Sequence, residues 1–242
     1  MSQLRNAYGQ PVGEPLPHWQ PRPLPQHRVF QGDYCRLEPM NAEQHASDLY
    51  EAYSQAEDAR DWTYVFAGPF DSKAAWLDYA RRMTDSSDPL HFAVIDCQTG
   101  RAAGTLALMR IEPAHGVTEV GHVAFSPLLK RTRMASEAHF LLMQYAFEQL
   151  GYRRYEWKCD SLNAPSRRAA LRLGFHYEGD FRQAIVYRGR TRDTSWFSII
   201  DSEWPQVKNG FRRWLAAENF GADGQQREKL ETLRQLNLTA QD

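Results

Sequence analysis

Nowhere does the sequence hold an apolar run of the roughly 18 residues that a membrane-crossing helix needs, and its mean hydropathy of −0.64 points the same way. The N-terminal stretch has no apolar h-region and Glu14 sits among prolines, so neither a secretory signal nor a transit peptide is expected, and the expected location is cytoplasmic. Charge of one sign is lacking as well. Lys and Arg number 29 against 30 Asp and Glu, a formal net charge of −1, which leaves no global field to hold nucleic acid or an anionic membrane. Cysteine is scarce. Cys35, Cys97 and Cys159 make no CxxC pair and suit no zinc site, so reduced, mostly buried thiols and no metal are expected. GxSxG, HExxH, Walker A and GxGxxG patterns are absent too, which removes the commonest hydrolase, zinc-protease and nucleotide-binding signatures. What remains, 42% hydrophobic and 24% charged residues in a chain of 242, is the profile of one globular domain with appendages.

Pro11, Pro15, Pro17, Pro21, Pro23 and Pro25 crowd residues 1–28, which read as an extended arm that His18 and Trp19 could pin to the body. The pattern then changes. Tyr34–Pro39 reads as a strand, and Asn41 caps a helix running to about Gln55. An aromatic loop with Trp62, Tyr64, Phe66 and Phe70 follows, and Asp71 is expected to cap a helix through Met83. Strands are expected at Leu90–Asp96, Ala103–Ile111 and Val117–Phe125, then a long helix over Thr132–Leu150 closed by Gly151. A strand Arg154–Cys159, a helix Ala164–Leu173, strands Phe175–Val186 and Arg192–Ile200, and a helix from Pro205 to Glu218 complete the order, with a weakly amphipathic tail at Gln225–Leu238. This pattern implies a mixed α/β (α+β type) sheet with helices on its faces.

The chemistry lies between Glu119 and Ile200. The strand ending at Phe125 feeds a helix through a loop that carries Lys130, Arg131 and Arg133. The free N–H groups and dipole of a helix N-terminus form an anion site, and three cations add to it; a solvated basic turn is the alternative. A second helix opens at Asn163-Ala164-Pro165-Ser166 and ends at Leu173-Gly174-Phe175, followed by Tyr177-Glu178-Gly179. Together with Ala135-Ser136-Glu137-Ala138, the polar turn Arg188–Asp193 and Trp196-Phe197-Ser198, these motifs resemble the GNAT superfamily of N-acetyltransferases, in particular its RimJ/RimL-like branch, over residues 30–205.

The resemblance implies a GNAT fold: a central, mixed, mostly antiparallel twisted sheet, helices on both faces, and two splayed parallel strands, here 118–125 and 154–159, with acetyl-CoA as co-substrate in the gap. It implies a pantetheine arm beside Val123 and Phe125, with Asn163 and Ser166 near it. It places the pyrophosphate on Lys130, Arg131, Thr132, Arg133, Met134 and Ala135. Where the family usually has glycines in this loop the chain has Arg131 and Arg133, so a cradle that uses side chains is expected. The domain boundaries that follow are an arm at 1–28, an acetyltransferase domain at 29–205 and a helical extension at 206–242.

The expected reaction moves an acetyl group to a primary amine, on a protein N-terminus or a small molecule, by direct attack. A protonated amine must first lose a proton, so a general base is needed, and an acid can protonate the leaving thiolate. Glu119 matches the family's glutamate base, His122 is a second candidate base, and Ser166 is the candidate acid, with Tyr187 in reserve. Backbone N–H groups near Phe125 are candidates for stabilising the acyl oxygen. Trp62, Tyr64 and Phe70 are expected to wall the acceptor site, with Asp61 or Asp193 facing a cationic amine. A closed aromatic pocket suits a small amine and an open groove a peptide. Acetyl-CoA and an amine are the expected partners, with no nucleic acid and no membrane, and a homodimer stays open. The alternative reading is a catalytically weak coenzyme-binding or dimerisation module.

Overall fold

A computed structural model of the chain describes residues 4–235. Its strands are β1 (Phe30–Gln31), β2 (Cys35–Pro39), β3 (Leu90–Asp96), β4 (Ala102–Glu112), β5 (Val117–Phe125), β6 (Arg154–Asp160), β7 (His176–Tyr187) and β8 (Arg190–Ile200). Its helices are α1 (Ala42–Tyr53), α2 (Lys73–Asp85), α3 (Arg133–Gln144), α4 (Ala164–Leu173), α5 (Trp204–Leu215) and α6 (Leu230–Gln235). One eight-stranded sheet runs β1-β2-β3-β4-β5-β6-β8-β7, and every neighbouring pair is antiparallel except β5–β6. This is the mixed sheet that the strand pattern implied, mostly antiparallel as the family resemblance implied.

The near-continuous apolar run of β3 follows from burial on both faces. Leu90, Phe92 and Val94 join the larger core with Leu142, Tyr155, Phe197 and Phe211, under α3, α4 and α5. Ala93 and Ile95 point the other way, to Leu49 of α1 and Trp76 of α2. Each large side chain removed fully from water contributes about 1.5–3 kcal/mol. The larger core takes in Trp204, Val207 and Trp214 of α5 and Leu230 and Leu233 of α6 as well.

The caps are local chemistry. Asn41 Oδ1 accepts from the Glu43 and Gln44 N–H groups at the start of α1. Gly174 ends α4 at φ +107°, a conformation only glycine adopts freely. At α2 the cap is Ser72, whose hydroxyl takes the Ala75 N–H at 3.1 Å, one residue after the expected Asp71. The long helix is regular only to Gln144; Tyr145–Gln149 forms a π turn, closed by Leu150 N–H on the Tyr145 carbonyl. Glu137 of α3 is buried because its carboxylate accepts the N–H groups of Asp33, Tyr34 and Cys35 at 2.7–2.8 Å, tying the β1–β2 turn to the helix.

The proline-rich segment is tied to the body. Trp19 Nε1 donates to the Ala114 carbonyl, Arg22 N–H to Pro113 and Gln26 N–H to the Tyr145 hydroxyl, while His18 is exposed. The three cysteines are free, with Cys35 and Cys159 buried. Of the tail expected at Gln225–Leu238, residues 236–238 lie outside the described residues. Among the described residues no helix is long and apolar enough to cross a membrane.

Candidate active site

The site begins with a break in the sheet. β5 and β6 are paired from Val117↔Arg154 to Val120↔Trp157 and no further, although β5 continues to Phe125 and β6 to Asp160. The cause is a bulge in β5. Its pairing with β4 slips between Ala107↔Gly121 and Thr105↔Ala124, and His122 takes φ +48°. A bulge bends the strand that carries it. At the bend the Met109 sulfur packs against Gly121 and would have to shift to admit a Cβ there. Beyond the bend, the edge of β5 that faces β6 has no strand partner among the described residues.

A cleft of about 1440 Å³ passes through this break. Residues paired across neighbouring strands share a face of the sheet. Glu119, Glu156 and Ser198 are therefore on one face, together with Lys158, Trp196 and Thr194. Trp157 and Cys159 are on the other, under α3 and α4. The cleft touches both.

On the α3–α4 side, the expected residues come together. Val123, Phe125, Lys130, Arg131, Thr132 and Arg133 line the cleft, as do Met134, Ala135, Asn163 and Ser166. Thr132 caps α3, its hydroxyl taking the Ala135 N–H at 3.3 Å and so leaving the Arg133 and Met134 N–H groups of the first turn for a ligand. Asn163 Oδ1 caps α4 through the Ser166 N–H at 3.1 Å, and the Ser166 hydroxyl accepts from Trp157 Nε1 at 3.0 Å. Arg131 is exposed and sits at φ +61°, the left-handed region where glycine costs nothing. The loop has the backbone of a glycine loop without the glycine. Arg131→Gly is expected to raise the unfolding free energy by about 1 kcal/mol, read by urea denaturation, while Arg131→Ala brings no such gain.

Two of the loop's cations are already engaged. Lys130 pairs with Asp61, so Asp61 does not offer a free charge to an amine. Arg133 stacks 3.9 Å from the Phe220 ring centre and 5.0 Å from that of Tyr34. Phe220 and Trp214 join the cleft wall here, with Arg172 over Trp214 at 4.8 Å. These two aromatic residues lie beyond the segment that carries the family motifs, and nothing in their local pattern sets them apart from core residues.

On the opposite side Glu119 is 4% exposed and lines the cleft. Lys158 Nζ lies 2.8 Å from its carboxylate and 2.6 Å from that of Glu156, and Arg110 Nε lies 3.2 Å from Glu119. Burial pushes the Glu119 carboxyl up from its ordinary 4.5, against the pull of Lys158 and Arg110. Lys158 also rests 3.8 Å over the Trp196 ring. Lys158 was legible only as one member of the alternation Glu156-x-Lys158, whose face the sequence does not settle. His122 lines the same wall, 5.0 Å from the His91 ring, and burial pushes it down. Among the described residues no group of three His, Cys, Asp or Glu gathers for a metal ion.

Trp62 and Tyr64 line the cleft. Phe70 does not: it packs edge-on to Trp62 and Trp76 in the smaller core, because the loop turns it under α2. Asp193 does not either. It alternates away from Arg192 and Thr194, and its carboxylate accepts the Gln183 N–H at a kink of β7. The Tyr187 hydroxyl donates to Asp160 at 2.8 Å, and burial with that carboxylate raises its pKa, which makes it a poor acid.

The parallel strands thus part inside a cleft that has a helix N-terminus on one side and a buried carboxylate on the other. The acetyltransferase (GNAT) domain family matches residues 35–176. A GCN5-related N-acetyltransferase from Brucella melitensis is 50% identical, with a TM-score of 0.88 over 90% of this chain and 99% of that one. YnaD of Bacillus subtilis, described as an uncharacterized N-acetyltransferase, is 25% identical over 65% of this chain and 90% of its own length. RimJ of Mycobacterium smegmatis, solved in complex with CoA-disulfide, shares the fold at a TM-score of 0.61 and 19% identity, over 76% of this chain and 89% of that one. The chain belongs to the GNAT acetyltransferase family. It is an acetyl-CoA-dependent N-acetyltransferase.

Proposed function

We propose that acetyl-CoA lies on the α3–α4 side of the sheet, that the amine arrives on the Glu119 side, and that the two meet where β5 leaves β6. The observation that carries this reading is the end of the β5–β6 pairing at Val120↔Trp157 inside a cleft that reaches both faces. The residues fit the thioester's parts. The Arg133 and Met134 N–H groups at the α3 N-terminus suit the pyrophosphate, and the free edge at Val123 and Phe125 suits an amide-bearing arm. The Asn163 amide NH₂ remains available while its oxygen caps α4. Residues 206–235 act as an extension that closes the donor end through Trp214 and Phe220, residues 29–205 as the catalytic domain, and the proline-rich segment as an arm.

Glu119 takes a proton from the incoming ammonium, directly or through water. The neutral amine then attacks the thioester carbon, whose oxygen is met by a backbone N–H near Phe125. As the C–N bond forms and the C–S bond breaks, the nitrogen sheds its second proton to solvent water, and the Ser166 hydroxyl protonates the thiolate and regains a proton from solvent. His122 is the second candidate for the first step, since burial keeps it neutral. The motifs from Ala135 to Ser198 support a RimJ/RimL-like enzyme.

Calorimetry with acetyl-CoA tests the donor side. Micromolar binding is expected. Asn163→Asp keeps the capping oxygen but loses the amide donors, and is expected to weaken binding about tenfold, the worth of one good hydrogen bond. A folded wild type that binds no acetyl-CoA would overturn the placement.

A further inference from the structure

The cationic amine that an N-acetyltransferase expects would be met by carboxylates, yet each acid near the acceptor side is already committed. Glu119 is held by Lys158 and Arg110, and Asp61 by Lys130. Asp160 accepts from Leu162 N–H at 2.9 Å and from the Tyr187 hydroxyl at 2.8 Å, and Asp193 accepts from Gln183 N–H. The uncommitted groups have the opposite character. Arg192, Thr194 and Trp196 alternate along one face of β8 and all line the cleft. Arg192 is 6% exposed, with no carboxylate within ion-pair distance among the described residues, and its Nε is buried without a hydrogen-bond partner. Thr194 Oγ1 and Trp196 Nε1 are likewise buried and unpartnered.

These three atoms are a guanidinium N–H, a hydroxyl and an indole N–H, and all three can donate to an acceptor from outside the chain. Water can satisfy a hydroxyl or an indole, but it does not neutralise an arginine, which cannot shed its proton when buried. The guanidinium is also held in place. It lies 5.3 Å from the Phe66 ring centre and 5.7 Å from that of Tyr187, while Trp196 stacks on Phe181 at 4.6 Å. The loop that carries Phe66 is anchored over it by Arg188, which donates to the Ala67 and Gly68 carbonyls.

Resting on the acetyltransferase reading above, we propose that the acceptor amine carries a carboxylate, bound by Arg192 with Thr194 and Trp196. In register Thr194 lies opposite Asp160, three residues past the last β6 residue paired to β5. Thr194 is therefore about 10 Å along the sheet from the break, and Arg192, two residues further along β8, about 16 Å. The acceptor holds its amine at the break and its carboxylate against β8.

The test compares matched acceptors, by calorimetric binding and by acetyl transfer. One arm sets ω-amino acids from glycine to 6-aminohexanoate against their carboxamides. The other sets short peptides that begin with Asp or Glu against those that begin with Asn or Gln, which separates a small-molecule source of the carboxylate from a peptide source. In at least one arm the wild type is expected to favour the carboxylate tenfold or more. Arg192→Leu should bring that preference below twofold and Arg192→Lys should keep part of it, with the acetyl-CoA Kd of both variants within twofold of wild type. The proposal is overturned if carboxamides bind as well as carboxylates in both arms, or if Arg192→Leu weakens both members of a pair alike. A wild type that binds no acetyl-CoA overturns the donor placement itself, and this proposal with it.

Discussion

Glu119→Gln is expected to lower kcat by 10²–10⁴, the usual worth of a positioned general base, with little change in acetyl-CoA affinity. Glutamine has nearly the same shape and still accepts from Lys158, so the loss reports proton transfer and not collapse of the cleft. The pH profile is the sharper readout. In the wild type kcat/KM should rise with pH as Glu119 ionises, and the midpoint should lie above the ordinary 4.5, because burial opposes the charge. Lys158 and Arg110 pull the other way, and Glu156 adds to the upward push. Lys158→Met removes a favourable cation 2.8 Å away and should therefore move the midpoint to higher pH. In Glu119→Gln this limb should vanish, while in His122→Gln it should stay. The reverse pattern would transfer the role of base to His122.

Acid should weaken the folded protein well before its carboxylates titrate. His91 and His139 are each 3% exposed, and burial pushes both down to about 3 from the ordinary 6.5. The second influence is His122 for His91 and Arg172 for His139, and both also act downward. His139 lies between the Phe125 and Trp157 rings, at 5.5 and 5.2 Å, and its Nδ1 has no partner. The unfolded chain binds a proton at each histidine below about 6.5, whereas the folded chain does not until about 3. Their contribution is thus whole above 6.5 and is lost as pH falls toward 3. Between pH 6.5 and 5 each histidine costs roughly 2 kcal/mol, at about 1.4 kcal/mol per pH unit. Two of them remove roughly 4 kcal/mol from a typical total of about 5–15 kcal/mol. Urea unfolding at pH 7.5 and 5.0 reads the difference, and His139→Phe, which suits the aromatic surroundings, should remove about half of it. A stability that is flat across that interval would show that the two rings bear charge more readily than their burial implies.

The elements were largely legible. β5 and α4 have the bounds that their sequence implied, and Asn41, Asn163 and Gly174 stop or start helices through contacts with residues a few places away. The run of motifs from Ala135 to Ser198 was enough to indicate the family, because each motif serves a local turn or cap at a set spacing. The glycine loop was read as altered at Arg131, and the altered residue keeps the left-handed backbone that a glycine would adopt. The residues expected to hold the donor do line the cleft, because they follow one another along the β5–α3 loop and the first turn of α4.

The acceptor side was not legible. Period-two alternation puts Arg192 and Asp193 on opposite faces of a strand but does not say which face meets the cleft. That choice is made by the pairing of Thr194 with Asp160 and by a loop from some 130 residues earlier, which folds Phe66 over Arg192. Lys130 and Asp61 cancel each other's charge only because the same loop comes down beside α3. Phe70 became core because Trp76 lies beneath it, and His122 left its regular alternation because the bulge put it at φ +48°. By itself the sequence determined elements, caps, the family and the basic loop before α3, since these depend on neighbours within a turn or a strand. Only the tertiary structure decided which charges meet and which remain unpaired in the cleft, because Coulomb attraction and burial act between residues that the chain keeps far apart until the sheet has closed around them.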